Sequence, residues 1–148
     1  MKSLFLAFVF CAVTAFAADT PTSVPETPSS QPLVQARAAV KAGQFDKAVD
    51  VLKQAEQKQS ADWNNLMGYS LRKKSPPDLV NAEIFYKAAL ALEPAHRGAL
   101  EYYGELLLMK SDLTGAEALL ARLDKACRFG CEEYRDLKAS IQTYKSKK

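Results

Sequence analysis

Along "FDKAVDVLKQAEQ" the apolar residues Phe45, Ala48, Val49, Leu52 and Ala55 recur three or four positions apart, the spacing that puts side chains on one face of a helix. "AEIFYKAALAL" repeats the pattern with Ala82, Phe85, Tyr86, Ala89 and Leu90, and Pro94 stops it. "AEALLARLDKA" repeats it again with Ala116, Leu119, Leu120 and Leu123. From Leu33 onward glycine and proline are few and fall between these periodic segments, and no run alternates with period two. The pattern predicts an all-α chain.

The three segments are copies. Ala48, Ala82 and Ala116 lie 34 residues apart and again 34 apart, with Gly68 and Gly104 fourteen and twelve residues upstream of their alanines. A period of 34 with two helices per unit resembles the tetratricopeptide repeat. The middle unit matches it with Gly68, Ala82, Tyr86, Ala89 and Pro94, and the third with Gly104, Ala116, Leu120 and Leu123. The first offers Ala36, Ala48, Leu52 and Ala55. Trp63 stands one position earlier than the repeat's usual tryptophan, and "KKSPPDL" adds two residues to the middle turn. The resemblance implies a short α-solenoid of about three helix-turn-helix units, over residues 33–60, 61–94 and 95–124. Within a unit Gly68 should face Ala82, and Gly104 should face Ala116, where paired helices cross most closely.

Composition changes the picture at the front of the chain. "MKSLFLAFVFCAVTAFAAD" places Lys2 before an apolar run from Leu4 to about Ala15, then Ala15-Phe16-Ala17, a small-x-small pattern. This reads as a secretory signal peptide over residues 1–17, too short for a spanning helix of roughly 20 apolar residues. Phe10 stands before Cys11 where a lipid-attachment motif has a small residue. Residues 18–32 carry four of the seven prolines with Ser and Thr, which predicts a flexible extended linker. Without Lys2 the chain has 19 basic and 17 acidic residues, too even a balance to argue for nucleic acid or general membrane adhesion. With no second apolar stretch of spanning length, the product is expected to be exported, periplasmic or secreted, with no stable membrane insertion after cleavage.

A stack of repeats leaves its last apolar face open and needs a terminal helix with one polar side. "CEEYRDLKASIQTYK" supplies one: Tyr134, Leu137, Ile141 and Tyr144 form a single stripe, and Glu132, Arg135, Asp136 and Lys138 the rest. Residues 125–148 are therefore expected to form a capping helix with a basic tail. Cys127 and Cys131 sit just ahead of it, with Gly130 between. On one continuous helix, residues four apart have Cβ atoms roughly 5–6 Å apart, beyond the roughly 3.5–4.5 Å of a disulfide. A break at Gly130 would let the sulfurs meet. In an exported chain a structural disulfide is the expectation. A redox-active dithiol is the alternative function, although its usual spacing is C-x-x-C, and a metal site would need more ligands than His96 can add. The arrangement "CRFGCEEYRDL" resembles that of small exported bacterial tetratricopeptide proteins.

Candidate chemistry is sparse. Beyond the lone His96, in the turn after Pro94, there is no histidine to pair with a serine, and there is no phosphate-cradling glycine loop and no zinc-ligand spacing. No enzyme activity, cofactor, metal or small-molecule substrate is expected. Glu101 and Glu105 lie four apart, a spacing that suits a solvated or peptide-facing surface better than an acid–base pair. The resemblance implies a protein–protein interaction module, an adaptor or assembly factor, whose groove is lined by the first helix of each unit. Those positions fall on Asn65, Tyr69, Arg72 and Lys73 in the middle unit and on Glu101, Glu105 and Leu108 in the third. The first unit's share is Arg37 and Lys41. Asn65 with nearby cations could hold a peptide backbone or carboxylate, and the glutamates would favour a basic side chain. The run Arg72-Lys73-Lys74 also suits a solvated helix end complementing the helix dipole.

Overall fold

The computed structural model describes residues 31–55 and 57–147. The expected signal peptide and all but the last two residues of the expected linker lie outside them. The described residues form seven helices and no strand: α1 Gln31–Lys41, α2 Phe45–Gln54, α3 Ala61–Lys73, α4 Leu79–Leu92, α5 Arg97–Met109, α6 Leu113–Ala126 and α7 Glu132–Ser146. Helix α1 opens at Gln31, two residues ahead of the boundary read from the sequence. Pro32 falls in its first turn, where a missing N–H breaks no helical bond. Helix α6 likewise runs two residues past the expected end of the third unit.

Four of the helices, α3 to α6, start at a side chain that caps them. Ser60, Asp78, His96 and Asp112 accept the N–H of Trp63, Asn81, Ala99 and Gly115 respectively, satisfying donors the first helical turn leaves free. The helices pair as α1 with α2, α3 with α4, and α5 with α6, and each pair packs on the next. Helix α7 lies against both α5 and α6, occupying the place where another unit's first helix would stack.

The periodic positions are the core. Ala36, Ala48, Leu52, Ala82, Tyr86, Ala89, Ala116 and Leu123 are completely buried. One cluster spans α1 to α5, and a second joins α4, α5, α6 and α7 through Leu100, Leu107, Leu119, Leu137 and Ile141. Trp63, though shifted by one position, is buried, donates from its indole to the Leu52 carbonyl at 3.1 Å and meets Phe85 edge-on. It thereby binds the first unit to the second.

Both glycine positions of the repeat are sterically committed, but not to the same kind of neighbour. A Cβ on Gly68 would lie 2.9 Å from the Tyr86 ring and 3.1 Å from the Ala82 carbonyl oxygen, so the α3–α4 crossing is as tight as the repeat pattern requires. A Cβ on Gly104 would lie 2.6 Å from both methyls of Leu137. The closest approach there is to the cap and not, as expected, to Ala116: with α7 stacked on α5, the Leu137 side chain fills the hollow above the glycine.

The cap is also tied covalently. Helix α6 ends at Ala126, Cys127 is its C-cap, and Gly130 (φ +79°) donates to the Cys127 carbonyl. A left-handed residue at that point is one glycine adopts without a Cβ penalty. The turn brings Cys131, the first residue before α7, back onto Cys127, and the two are joined by a disulfide with Cα atoms 5.6 Å apart.

Candidate functional site

The first helices of the units, with α7, share one face. Arg37 and Lys41 of α1, Asn65 and Tyr69 of α3, Tyr102 of α5 and Glu133 of α7 line a hollow of about 440 Å³. A second hollow, about 550 Å³, is lined by Arg72, Lys73, Glu105 and Leu108 together with Ser140, Thr143, Tyr144 and Lys147 of α7.

At one end of this face three helices are linked by charge. Asp62 of α3 meets Arg37 of α1 at 3.1 Å and the Nε2 of His96 at 3.1 Å. Because His96 Nδ1 accepts the Ala99 N–H, Nε2 carries the ring proton and donates to Asp62. Partial burial pushes the Asp62 carboxyl up, but the His96 hydrogen bond and the Arg37 charge outweigh it and hold the group below its ordinary range. His96 is thus a helix cap and a link between α3 and α5.

Arg72 behaves differently from its neighbours in the basic run. It is buried, donates to Glu105 Oε2 at 2.6 Å and lies 5.5 Å and 5.8 Å from the ring centroids of Tyr69 and Tyr102. Its charge is spent within the fold, on a carboxylate and two aromatic faces. Lys73 is exposed, as a solvated helix end should be, and Lys74 pairs with Asp46 at 3.7 Å. Asn65 is buried and its Oδ1 has no hydrogen-bond partner.

Glu101 is 7% exposed, and no hydrogen bond or ion pair to it exists among the described residues. Burial, with Glu105, Asp136 and Glu133 nearby and only Arg72 opposing them, pushes its carboxyl up to about 8.

Of the seven groove positions inferred from the repeat register, Asn65 and Tyr69 line the first hollow and Arg72, Lys73, Glu105 and Leu108 the second, while Glu101, buried on α5, lines neither of these two. Sequence reasoning missed Asp62, His96 and Tyr102, and the contributions of α7. Tyr102 was within reach: it stands 36 residues after Leu66, the same offset that relates Asn65 to Glu101 and Tyr69 to Glu105. The α7 residues gave no comparable signal, because a cap is read as closing the stack and not as a wall of the groove.

The sulfurs of Cys127 and Cys131 and a carboxylate oxygen of Glu133 lie within 4.8 Å of one another. Both sulfurs are spent on the disulfide, so neither is a thiolate ligand.

No family model matches the sequence, and no curated protein matches it. Solved structures do. The Sgt2 TPR domain from Aspergillus fumigatus has a TM-score of 0.69 at 20% identity, over 86% of this chain and 84% of that one. The first TPR of Spaghetti (RPAP3) bound to the HSP90 peptide SRMEEVD has a TM-score of 0.66 at 15% identity, over 78% and 91%. The Yersinia enterocolitica type III secretion chaperone SycD, in complex with a peptide of the translocator YopD, has a TM-score of 0.65 at 15% identity, over 80% and 92%. The chain has the tetratricopeptide-repeat fold, built as three helix pairs and closed by a disulfide-anchored seventh helix.

Proposed function

We propose that the chain is a protein–protein interaction module of the cell envelope, an adaptor or assembly factor that holds a peptide or partner helix in the face formed by α1, α3, α5 and α7. The observation that carries this reading is Asn65. A buried amide oxygen without a partner costs free energy, and this one sits in the wall of a hollow between two tyrosines and several charged groups. A peptide N–H is the kind of group that would satisfy it. Two of the structural neighbours hold peptides, which supports the same use of the fold. Export rests on the leader-like first 17 residues, and an oxidised cysteine pair suits an oxidising compartment.

The cysteines serve this reading as a brace. Cys127 is 5% exposed and packs within the second core cluster, which shields it from the attacking thiolate that disulfide exchange requires.

The test is site-specific photocrosslinking in cells. A photoreactive residue at Tyr69 should give discrete partner adducts in the envelope fraction, and the same residue at Ile84, exposed on α4, should not. Equal labelling from both positions would dismiss the groove. Adducts confined to the cytoplasmic fraction would dismiss the location.

A further inference from the structure

We propose that the wall of the groove made by α5 and α7 takes a cationic side chain, a lysine or arginine of an extended peptide, with the Glu101 carboxylate as its counter-charge. The proposal rests on the groove reading above and names the ligand chemistry at one of its positions.

Three observations converge. Glu101 is nine-tenths buried and has no hydrogen-bond donor of its own among the described residues. The charges that act on it are those of Glu105 on its own helix, Glu133 and Asp136 on α7, and Arg72 on α3. The one cation among these already donates to Glu105 at 2.6 Å, which leaves a surplus of negative charge along α5 and α7. Asn65, on the neighbouring α3, independently presents an unpartnered acceptor, also nine-tenths buried, in a hollow whose far wall includes Glu133. Both are acceptors, so each calls for an N–H donor, and the carboxylate for one that also carries positive charge. Guanidinium offers five donors and ammonium three. A peptide carboxylate beside Glu101 would meet like charge from Glu101, Glu133 and Asp136. Arg72 is engaged by Glu105 and Arg37 by Asp62, which leaves Lys41, exposed on α1, as the cation of the hollow with no carboxylate of its own among the described residues.

The same geometry makes the interaction proton-linked. With its carboxyl raised to about 8, Glu101 carries a proton in the empty groove at neutral pH. An arriving cation favours the ionised form, and the carboxyl O–H proton leaves to solvent. Affinity should therefore rise with pH by up to about tenfold per unit below pH 8 and level off above it.

The experiment is selection from a random dodecapeptide phage library on the full chain at pH 8, with Glu101→Gln and Tyr69→Ala proteins as counter-targets. Selected peptides should be enriched in Lys and Arg and bind Glu101→Gln at least tenfold more weakly. Peptides that bind well but show no basic preference, or that prefer Asp and Glu, would overturn the cation assignment and leave the groove standing. Failure to select any peptide, or selection of peptides indifferent to Tyr69→Ala, would overturn the groove itself. A second measurement needs no variant: fluorescence anisotropy of a selected lysine peptide with the unaltered chain from pH 6 to 9. A rise that levels near pH 8 is the expected result, and a flat profile overturns the proposal.

Discussion

Arg72 of α3 donates to Glu105 of α5 at 2.6 Å, across an interval of 33 residues and from one repeat to the next. Tyr69 and Tyr102, from the same two helices, meet each other with ring centroids 4.6 Å apart, and the guanidinium lies beside both. Truncating Arg72 removes the buried member of the pair with its packing and leaves Glu105, 27% exposed, with Ser140 as its remaining donor among the described residues. Arg72→Ala should cost about 3 kcal/mol in urea denaturation, and Lys73→Ala, one residue on and exposed, less than about 0.5 kcal/mol. Equal effects would mean that Arg72 is a solvated helix end after all.

Gly68 and Gly104 lead to separable outcomes. Alanine is the better helix former by about 1 kcal/mol, yet the added Cβ would press on the buried Tyr86 ring in one case and on buried Leu137 in the other. Each Gly→Ala change should destabilise by roughly 1–3 kcal/mol through overpacking. Hydrogen exchange should then locate the damage, in α3 and α4 for Gly68→Ala and in α7 for Gly104→Ala.

Serine at both Cys127 and Cys131 opens a loop of only five residues. On the chain-entropy account this costs about 2 kcal/mol, a fall in melting temperature of roughly 5–10 °C for a domain of this size. Calorimetry of the double variant checks the size of the loss. Peptide binding measured below the melting range separates a structural brace from a bond the function needs.

Stability should respond to pH through Glu101 with a negative slope. A carboxyl raised from 4.5 to about 8 binds its proton more tightly folded than unfolded, so its favourable contribution is complete below pH 4.5 and lost as pH rises toward 8. Glu101→Gln should flatten that slope and raise the melting temperature at pH 9, with an effect on the order of a few kcal/mol. No gain at pH 9 would show that the carboxyl is not destabilised where it sits.

Glu83 should act in the other direction. It is held at about 2 by hydrogen bonds from Lys110, Lys87 and Tyr103, despite the opposing effect of burial. Its contribution is present above pH 4.5 and disappears as pH falls toward 2. Because both lysines are largely exposed, Glu83→Gln should cost no more than about 1 kcal/mol at pH 7, and the cost should vanish in melts at pH 2.

The repeat was legible because its physical cause is local. Small residues must recur wherever paired helices cross, so Ala48, Ala82 and Ala116 announced the units and their period. The mate of Gly104 was not legible. Leu137 reaches it only through the docking angle of α7, and helical spacing says which face of α7 is apolar without saying where that face lands. The fate of Arg72 was hidden for a related reason. Arg72, Lys73 and Lys74 are adjacent along the chain, but a helix turns about 100° per residue, so one points between helices while the next meets solvent. A run of like charges conceals that difference until its neighbours are in place.

The bond between Cys127 and Cys131 does more than close a short turn, because Glu133 stands just beyond it in the wall of the hollow. On the proposed reading of this face, its wall is finished by an oxidation step. Where glutathione keeps thiols reduced, the same polypeptide would carry this wall on an untethered hinge, and a ligand would have to bear the entropy of seating it. Competence to bind in the proposed groove would then follow the redox state of the surroundings, weaker with the cysteines reduced than with them joined.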